Sequence, residues 1–215
     1  MSPPSDAGPK ELLHWFRTTD EEPVPLFRDL LKTLLWLVAI GALLFAITGV
    51  WPPMVAVESG SMQPHMEKGD LIVVIEKGRF VGDGSYGDTG VVPYRAGKGS
   101  GYRSFHSYGD VIIYRPDGAT GETPIIHRAR FWVQKNENWY DRADQKFIGS
   151  ADNCKELPNC PAPHAGFITK GDHNGEYDQV YRGIGGPISS PVESSWIVAK
   201  AKIRIPWLGW VRLAV

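Results

Sequence analysis

One uninterrupted apolar run limits what this chain can become. From Thr33 to Trp51 the sequence reads TLLWLVAIGALLFAITGVW, without a charged side chain. As a helix at ~1.5 Å per residue the run would reach about 28 Å, and the hydrocarbon core of a bilayer is about 30 Å thick. A buried core helix and a cleaved signal peptide are the other readings. A signal peptide usually has a shorter apolar stretch nearer its start, whereas this one begins at Thr33. The expectation is a single-pass transmembrane helix over 33–51.

Flanking cations orient that helix. Arg17, Arg28 and Lys32 precede it, and the first cation after it is Lys68. By the positive-inside rule, residues 1–32 form a cytoplasmic tail and residues 52–215 lie outside the cell membrane. Within the tail, Leu12, Leu13, Trp15 and Phe16 suggest a short interfacial helix.

The outer part reads as β structure. Short runs rich in β-branched and aromatic residues recur at Met54–Val57, Leu71–Ile75, Val111–Tyr114, Ile125–Val133, Gly166–Thr169 and Trp196–Ile205. Turn chemistry separates them at Lys68-Gly69-Asp70, Pro116-Asp117-Gly118 and Gly183 to Pro187. No helical period of useful length follows the anchor. The expectation is a mainly β domain of coiled, mixed sheets, interrupted by long insertions near 78–108 and 134–165. Net charge is −1, from 23 basic and 24 acidic residues, which gives no reason to expect a nucleic-acid partner.

Nucleophile chemistry enters at Glu58-Ser59-Gly60-Ser61-Met62-Gln63-Pro64, shortly after the apolar run. A serine hydroxyl needs a base to take its proton, and the base is found by space, not by sequence distance. His14 lies before the anchor, and His65, His106 and His164 sit in polar stretches. His127 follows Pro124-Ile125-Ile126 on a strand-like run, and His173 lies in the polar stretch Thr169 to Asn174. On residue chemistry alone a strand histidine is more often structural than basic, and Ser61 is more often a turn-capping residue than a nucleophile.

The ordered motifs carry more. Glu58 to Pro64, Lys68-Gly69-Asp70-Leu71-Ile72, Tyr108 to Arg115, Ile125-Ile126-His127-Arg128, Thr169 to Asn174 with Asp178, and Ile205-Pro206-Trp207-Leu208-Gly209 occur in that order. Together they resemble the type I signal peptidases of the archaeal and endoplasmic-reticulum class. The resemblance implies a signal-peptidase-like catalytic domain behind one transmembrane helix. It implies a serine endopeptidase that cuts signal peptides from exported preproteins at the bilayer, near the translocation machinery, with no cofactor and no metal.

It also assigns roles. Ser61 matches the nucleophile and His127 the base, where bacterial relatives carry a lysine. Asp178 matches the acid that orients the histidine, and Asp172 a second, supporting acid. Ser59 matches an oxyanion helper beside the backbone N–H of Ser61. Gly60, Met62, Val55 and Val57 would meet the substrate, with Met54–Val57 pairing to an extended peptide. The chain departs from the family in the length of both insertions, in His173 where asparagine is common, and at Glu176 and Tyr177. The alternative is a catalytically inactive, membrane-anchored binding or assembly protein that keeps a peptidase-like domain.

Two cysteines complete the reading. A disulfide between Cys154 and Cys160 would pin the proline-rich insertion, and free thiols are the other state. With His164 they offer three metal ligands and no evident fourth.

Overall fold

A computed structural model of the protein describes residues 8–180 and 186–214. The chain divides into two compact units, Met1–Ile47 and Thr48–Val215.

The first unit is helical. Helix α1, Pro9–Thr18, opens with proline at its first turn and with Glu11 accepting from the Gly8 backbone N–H at 3.2 Å. It covers the expected interfacial segment. Helix α2, Val24–Thr48, is the one helix among the described residues that is long and apolar enough to cross a membrane. Its 25 residues reach about 37 Å. It starts nine residues before Thr33 because Leu26, Leu30 and their neighbours are good helix formers, and Arg28, Asp29 and Lys32 can ride on its first turns. It stops before Trp51 because Gly49 turns into the left-handed region at φ +73°.

The second unit is built on one six-stranded sheet. Its strands are β1 (Met54–Ala56), β2 (Leu71–Ile75), β5 (Val111–Tyr114), β6 (Ile125–Val133), β7 (Gly166–Lys170) and β8 (Ile197–Ile205). A separate hairpin pairs β3 (Arg103–Ser104) with β4 (Ser107–Tyr108). The order across the large sheet is β1-β2-β8-β5-β6-β7, and every neighbouring pair is antiparallel. The expected mixed sheet is therefore corrected to an antiparallel one. The reason is topological: β2 and β5 run the same way, but β8 returns from the far end of the chain and lies between them. The expected turn at 183–187 lies largely outside the described residues.

Both insertions are ordered around buried side chains. In the first, α3 (Tyr94–Ser100) adds a short helix that apolar periodicity did not announce. Asp110 holds this segment: its carboxylate accepts from Val92 N–H and from the Tyr102 hydroxyl, both at 2.8 Å. Buried Lys200 on β8 donates to Gly90 C=O at 2.7 Å and lies 3.9 Å from Asp110. In the second insertion Trp139 is fully buried with Phe131, Ile148, Leu157 and Tyr177, and its indole donates to Asn159 C=O at 2.7 Å. Cys154 and Cys160 are disulfide-bonded with Cα atoms 5.1 Å apart, which leaves neither sulfur to ligate a metal.

After β8 the chain does not stay buried. The short helix α4 (Trp210–Leu213) follows a turn, and Trp207, Leu208, Trp210 and Val211 are all exposed. The Trp210 ring lies over Gly69, where an added Cβ would meet it at 2.0 Å.

The Asp110–Lys200 contact yields a stability test. Replacing Asp110 by alanine leaves a buried ammonium without its acid and the Val92 N–H without an acceptor. Denaturant titration of the detergent-solubilised chain should show a loss of about 3–5 kcal/mol. A loss below about 1 kcal/mol would mean that the pair does not hold the insertion.

Candidate active site

Several segments of the second unit meet at one cleft of about 1300 Å³. Ser59 and Ser61 reach it from the turn after β1, His127 from β6, Ile113 from β5, Asn174 and Glu176 from the loop after β7, and Arg212 from α4. Val55, Val57 and Met62 also line it, though Val57 and Met62 are mostly packed into the core beside Ile72 and Val74. Gly60 does not line the cleft, and a Cβ there would make contact with the Gln63 side chain at 3.4 Å.

His127 is buried, and its Nδ1 lies 2.7 Å from Asp178 Oδ2. The same oxygen accepts from Tyr114 Oη at 2.8 Å and from Thr169 Oγ1 at 2.6 Å. These donors come from three neighbouring strands, β5, β6 and β7. Register explains the convergence of the first two, because β5 and β6 pair with Ile113 opposite Ile126 and Tyr114 opposite Ile125. Asp178 itself is fixed by its backbone, with its N–H on Thr169 C=O at 3.0 Å and its C=O accepting from Ile188 N–H at 2.8 Å. Burial works to raise the carboxyl pKa. The His127 charge and the hydrogen bonds from His127, Thr169 and Tyr114 outweigh it, so the net shift is downward. Burial first, and then Asp178, push the Tyr114 hydroxyl well above its ordinary value, so it remains a donor.

Asp172 does different work. It takes a forked pair of bonds from fully buried Arg128, Nε to Oδ1 at 2.8 Å and Nη2 to Oδ2 at 2.6 Å. Its Oδ2 also lies 2.8 Å from His65 Nδ1. Here too burial opposes ionisation, and Arg128 and His65 overcome it to lower the pKa. Because His65 closes the turn that begins at Ser61, Asp172 couples that turn to β6 through Arg128. A second tie is backbone: His173 N–H donates to Ser61 C=O at 2.9 Å. The approach is so close that a Cβ on Gly171 would lie 2.6 Å from that carbonyl. Lys170 braces the same loop from beneath by donating to Gly171 C=O at 2.7 Å and Asn174 C=O at 2.5 Å. Burial, reinforced by Arg130, lowers its pKa to about 8.

Ser61 Oγ lies 3.2 Å from Ser59 Oγ. Among the described residues it makes no direct hydrogen bond to His127, and the Ser61 backbone N–H donates to no acceptor. Sequence reasoning therefore placed both serines, His127, Val55, Val57 and Met62 at one cleft, with Asp178 behind the histidine. It missed Tyr114, Thr169, Arg128 and His65. Arg128 carried a weak signal, a cation next to His127 on a strand-like run that begins with Ile125-Ile126.

The cleft borders an open sheet edge. β1 is the terminal strand, and its flanks bond back toward β2, Pro53 C=O to Val74 N–H and Val57 N–H to the C=O of Asp70 just before β2. Antiparallel alternation then turns the N–H and C=O groups of Met54 and Ala56 away from β2. No protein-family model matches the chain.

The depressed acid yields a pH test with a definite sign. Asp178 has a lower pKa folded than unfolded, so its stabilising contribution is complete above the ordinary carboxylate value of about 4 and is lost as pH falls through the folded value. Unfolding free energy measured from pH 7 downward should therefore decline in acid, and Asp178→Asn should flatten that decline. An unchanged acid limb in the variant would mean that another group carries it.

Proposed function

We propose that this protein is a membrane-anchored serine endopeptidase that removes signal peptides from exported preproteins. The observation that carries the reading is the buried His127–Asp178 pair opening on the same cleft as Ser61, beside an unpaired strand edge. In this reading His127 takes the Ser61 proton as the hydroxyl attacks a peptide carbonyl, and then returns it to the leaving amine. Asp178 holds Nδ1 as the protonated nitrogen, which leaves Nε2 to act as base. The missing Ser61–His127 hydrogen bond suits a free enzyme, in which such bonds tighten on substrate binding. Ser61 N–H and the Ser59 hydroxyl are the oxyanion donors, each worth roughly 3–4 kcal/mol in the transition state.

The outward amide groups of Met54 and Ala56 would pair with an extended peptide. Val55, Val57 and Met62 form shallow apolar walls suited to small side chains next to the cut bond. The helix Val24–Thr48 serves as the anchor, with residues 1–23 in the cytoplasm and the sheet domain outside. Ser61 follows the end of that helix by only a short stretch of chain, which suits a substrate arriving in the same bilayer. The fold belongs, on this reading, with the signal peptidases of the Ser/His class.

A non-catalytic peptide-binding protein is the second reading, favoured by the contact of Ser61 with Ser59 rather than with His127. Cleavage of a model preprotein by the full chain in detergent, with sequencing of the new N-terminus, tests the two. Ser61→Ala and His127→Ala should each lower the rate by at least about 10³-fold without unfolding the domain. Wild-type Ser61 should be labelled by a serine-directed acylating probe. A wild-type chain that neither cleaves nor labels would favour the binding protein, and full activity in either variant would overturn the assigned roles.

A further inference from the structure

A second concavity lies on β6 three residues beyond His127. It encloses about 160 Å³ between α3, β6 and the loop after the short turn at 140–142, and Arg95, Lys98 and Arg130 reach it together with Tyr94, Asp144 and Tyr177. Three cations face one acid. Asp144 is itself already engaged by Lys146, whose ammonium lies 3.4 Å away. We infer that this concavity is a binding site for a phosphate-class oxyanion, either free phosphate or the phosphate of a lipid headgroup.

Four observations converge on it. The β6–β7 register slips between Ala129 and Phe131, so Arg130 is the extra residue of a bulge and is turned out of the ladder. The Arg130 guanidinium stacks 3.8 Å over the Tyr94 ring, and that of Arg95 stacks 4.4 Å over Phe131. Stacking leaves the N–H edges free, and among the described residues neither arginine has a hydrogen bond or an ion pair through its side chain. Tyr177 is buried to 1 % exposure, and its hydroxyl accepts from Asp144 N–H at 3.2 Å while its own proton has no acceptor among the described residues.

Chemistry then selects the ligand. Two planar forks with a third cation match a tetrahedral oxyanion better than a single carboxylate. The volume is below the 300 Å³ or so of an ordinary small-molecule pocket, so it takes a compact charged group and not an extended ligand. Like charge is the cost of the empty arrangement. Burial lowers the Arg95 pKa, and Arg142 and Arg130 add to that against the opposing effect of Tyr177 and Asp144. An anion seated between the guanidinium groups relieves that repulsion.

The test is equilibrium dialysis of labelled inorganic phosphate against the full chain in detergent, at constant ionic strength in chloride. Saturable uptake near one per chain is expected, weakened at least tenfold in Arg95→Gln and in Arg130→Gln. Arg95 is an exposed rim residue, so its variant keeps the test valid should Arg130→Gln fail to fold. A soluble short-chain phosphatidylglycerol, added as competitor, identifies the source. Displacement at a lower concentration than phosphate itself requires assigns the site to a lipid headgroup, and weaker displacement assigns it to free phosphate. No saturable uptake of either probe, or equal uptake by wild type and folded Arg95→Gln, overturns the inference. The readout does not involve peptide cleavage, so a result here stands apart from the outcome for Ser61.

Discussion

Asp178 holds a negative charge where no water reaches it, and much of the second unit is organised around that fact. An isolated carboxylate in such a place would be protonated or expelled. It is retained because His127, Tyr114 and Thr169 all direct donors to one of its oxygens. Those donors come from β6, β5 and β7, so the charge can be satisfied only if the three strands are paired in register. The same pairing sets the imidazole: with Nδ1 committed to the acid, the other nitrogen is the one available for chemistry. A buried carboxylate is a poor source of net stability even when its hydrogen bonds are made. Its value here is specificity, since a slip of one residue between β5 and β6 would put Tyr114 and His127 on opposite faces of the sheet.

A second, separate set of charges holds the nucleophile turn. Arg128 is fully buried, and besides its fork on Asp172 it donates to the carbonyls of Ser104, Tyr108 and Gly109. Asp172 passes this restraint to His65 and so to the turn that carries Ser61. The two acids, six residues apart in sequence, therefore serve different partners. One orients the candidate base and the other positions the candidate nucleophile. Neighbouring residues of β6, His127 and Arg128, receive them on its two faces, because successive strand side chains point in opposite directions.

The strands were legible because their signal is local. Leu71–Ile75, Val111–Tyr114 and Ile125–Val133 are β-branched runs between turn residues, and the structure keeps those bounds. Strand direction was not legible, since propensity says nothing of which strands become neighbours, and the placement of β8 between β2 and β5 decides it. The helix extends upstream of Thr33 because Arg28 and Lys32 mark where the apolar run begins and not where the helix does. Residue chemistry left His127 and Ser61 open to structural readings, and only the order of the motifs singled them out. Tyr114 and Thr169 were missed for a different reason: a hydroxyl that meets an acid across a sheet leaves no spacing in the sequence. Trp139 and both cysteines did mark the second insertion as something more than a plain loop, and they are its core and its clasp.

The two edges of the sheet are treated differently, and the difference bears on what the domain is for. At β7, Phe167 and Val192 exchange both backbone hydrogen bonds at 2.8 Å, which caps the edge with the chain's own residues. At β1 no described segment does this, although an unpaired edge invites unwanted association. The strand there is only three residues long, which limits the hazard. It also lies along the cleft that holds Ser61 and His127, so its free amide groups face the place where a peptide would have to lie. An edge left open at random would be as expected at β7 as at β1. An edge left open beside a serine and a buried histidine–carboxylate pair is what the proposed peptidase reading requires of this domain.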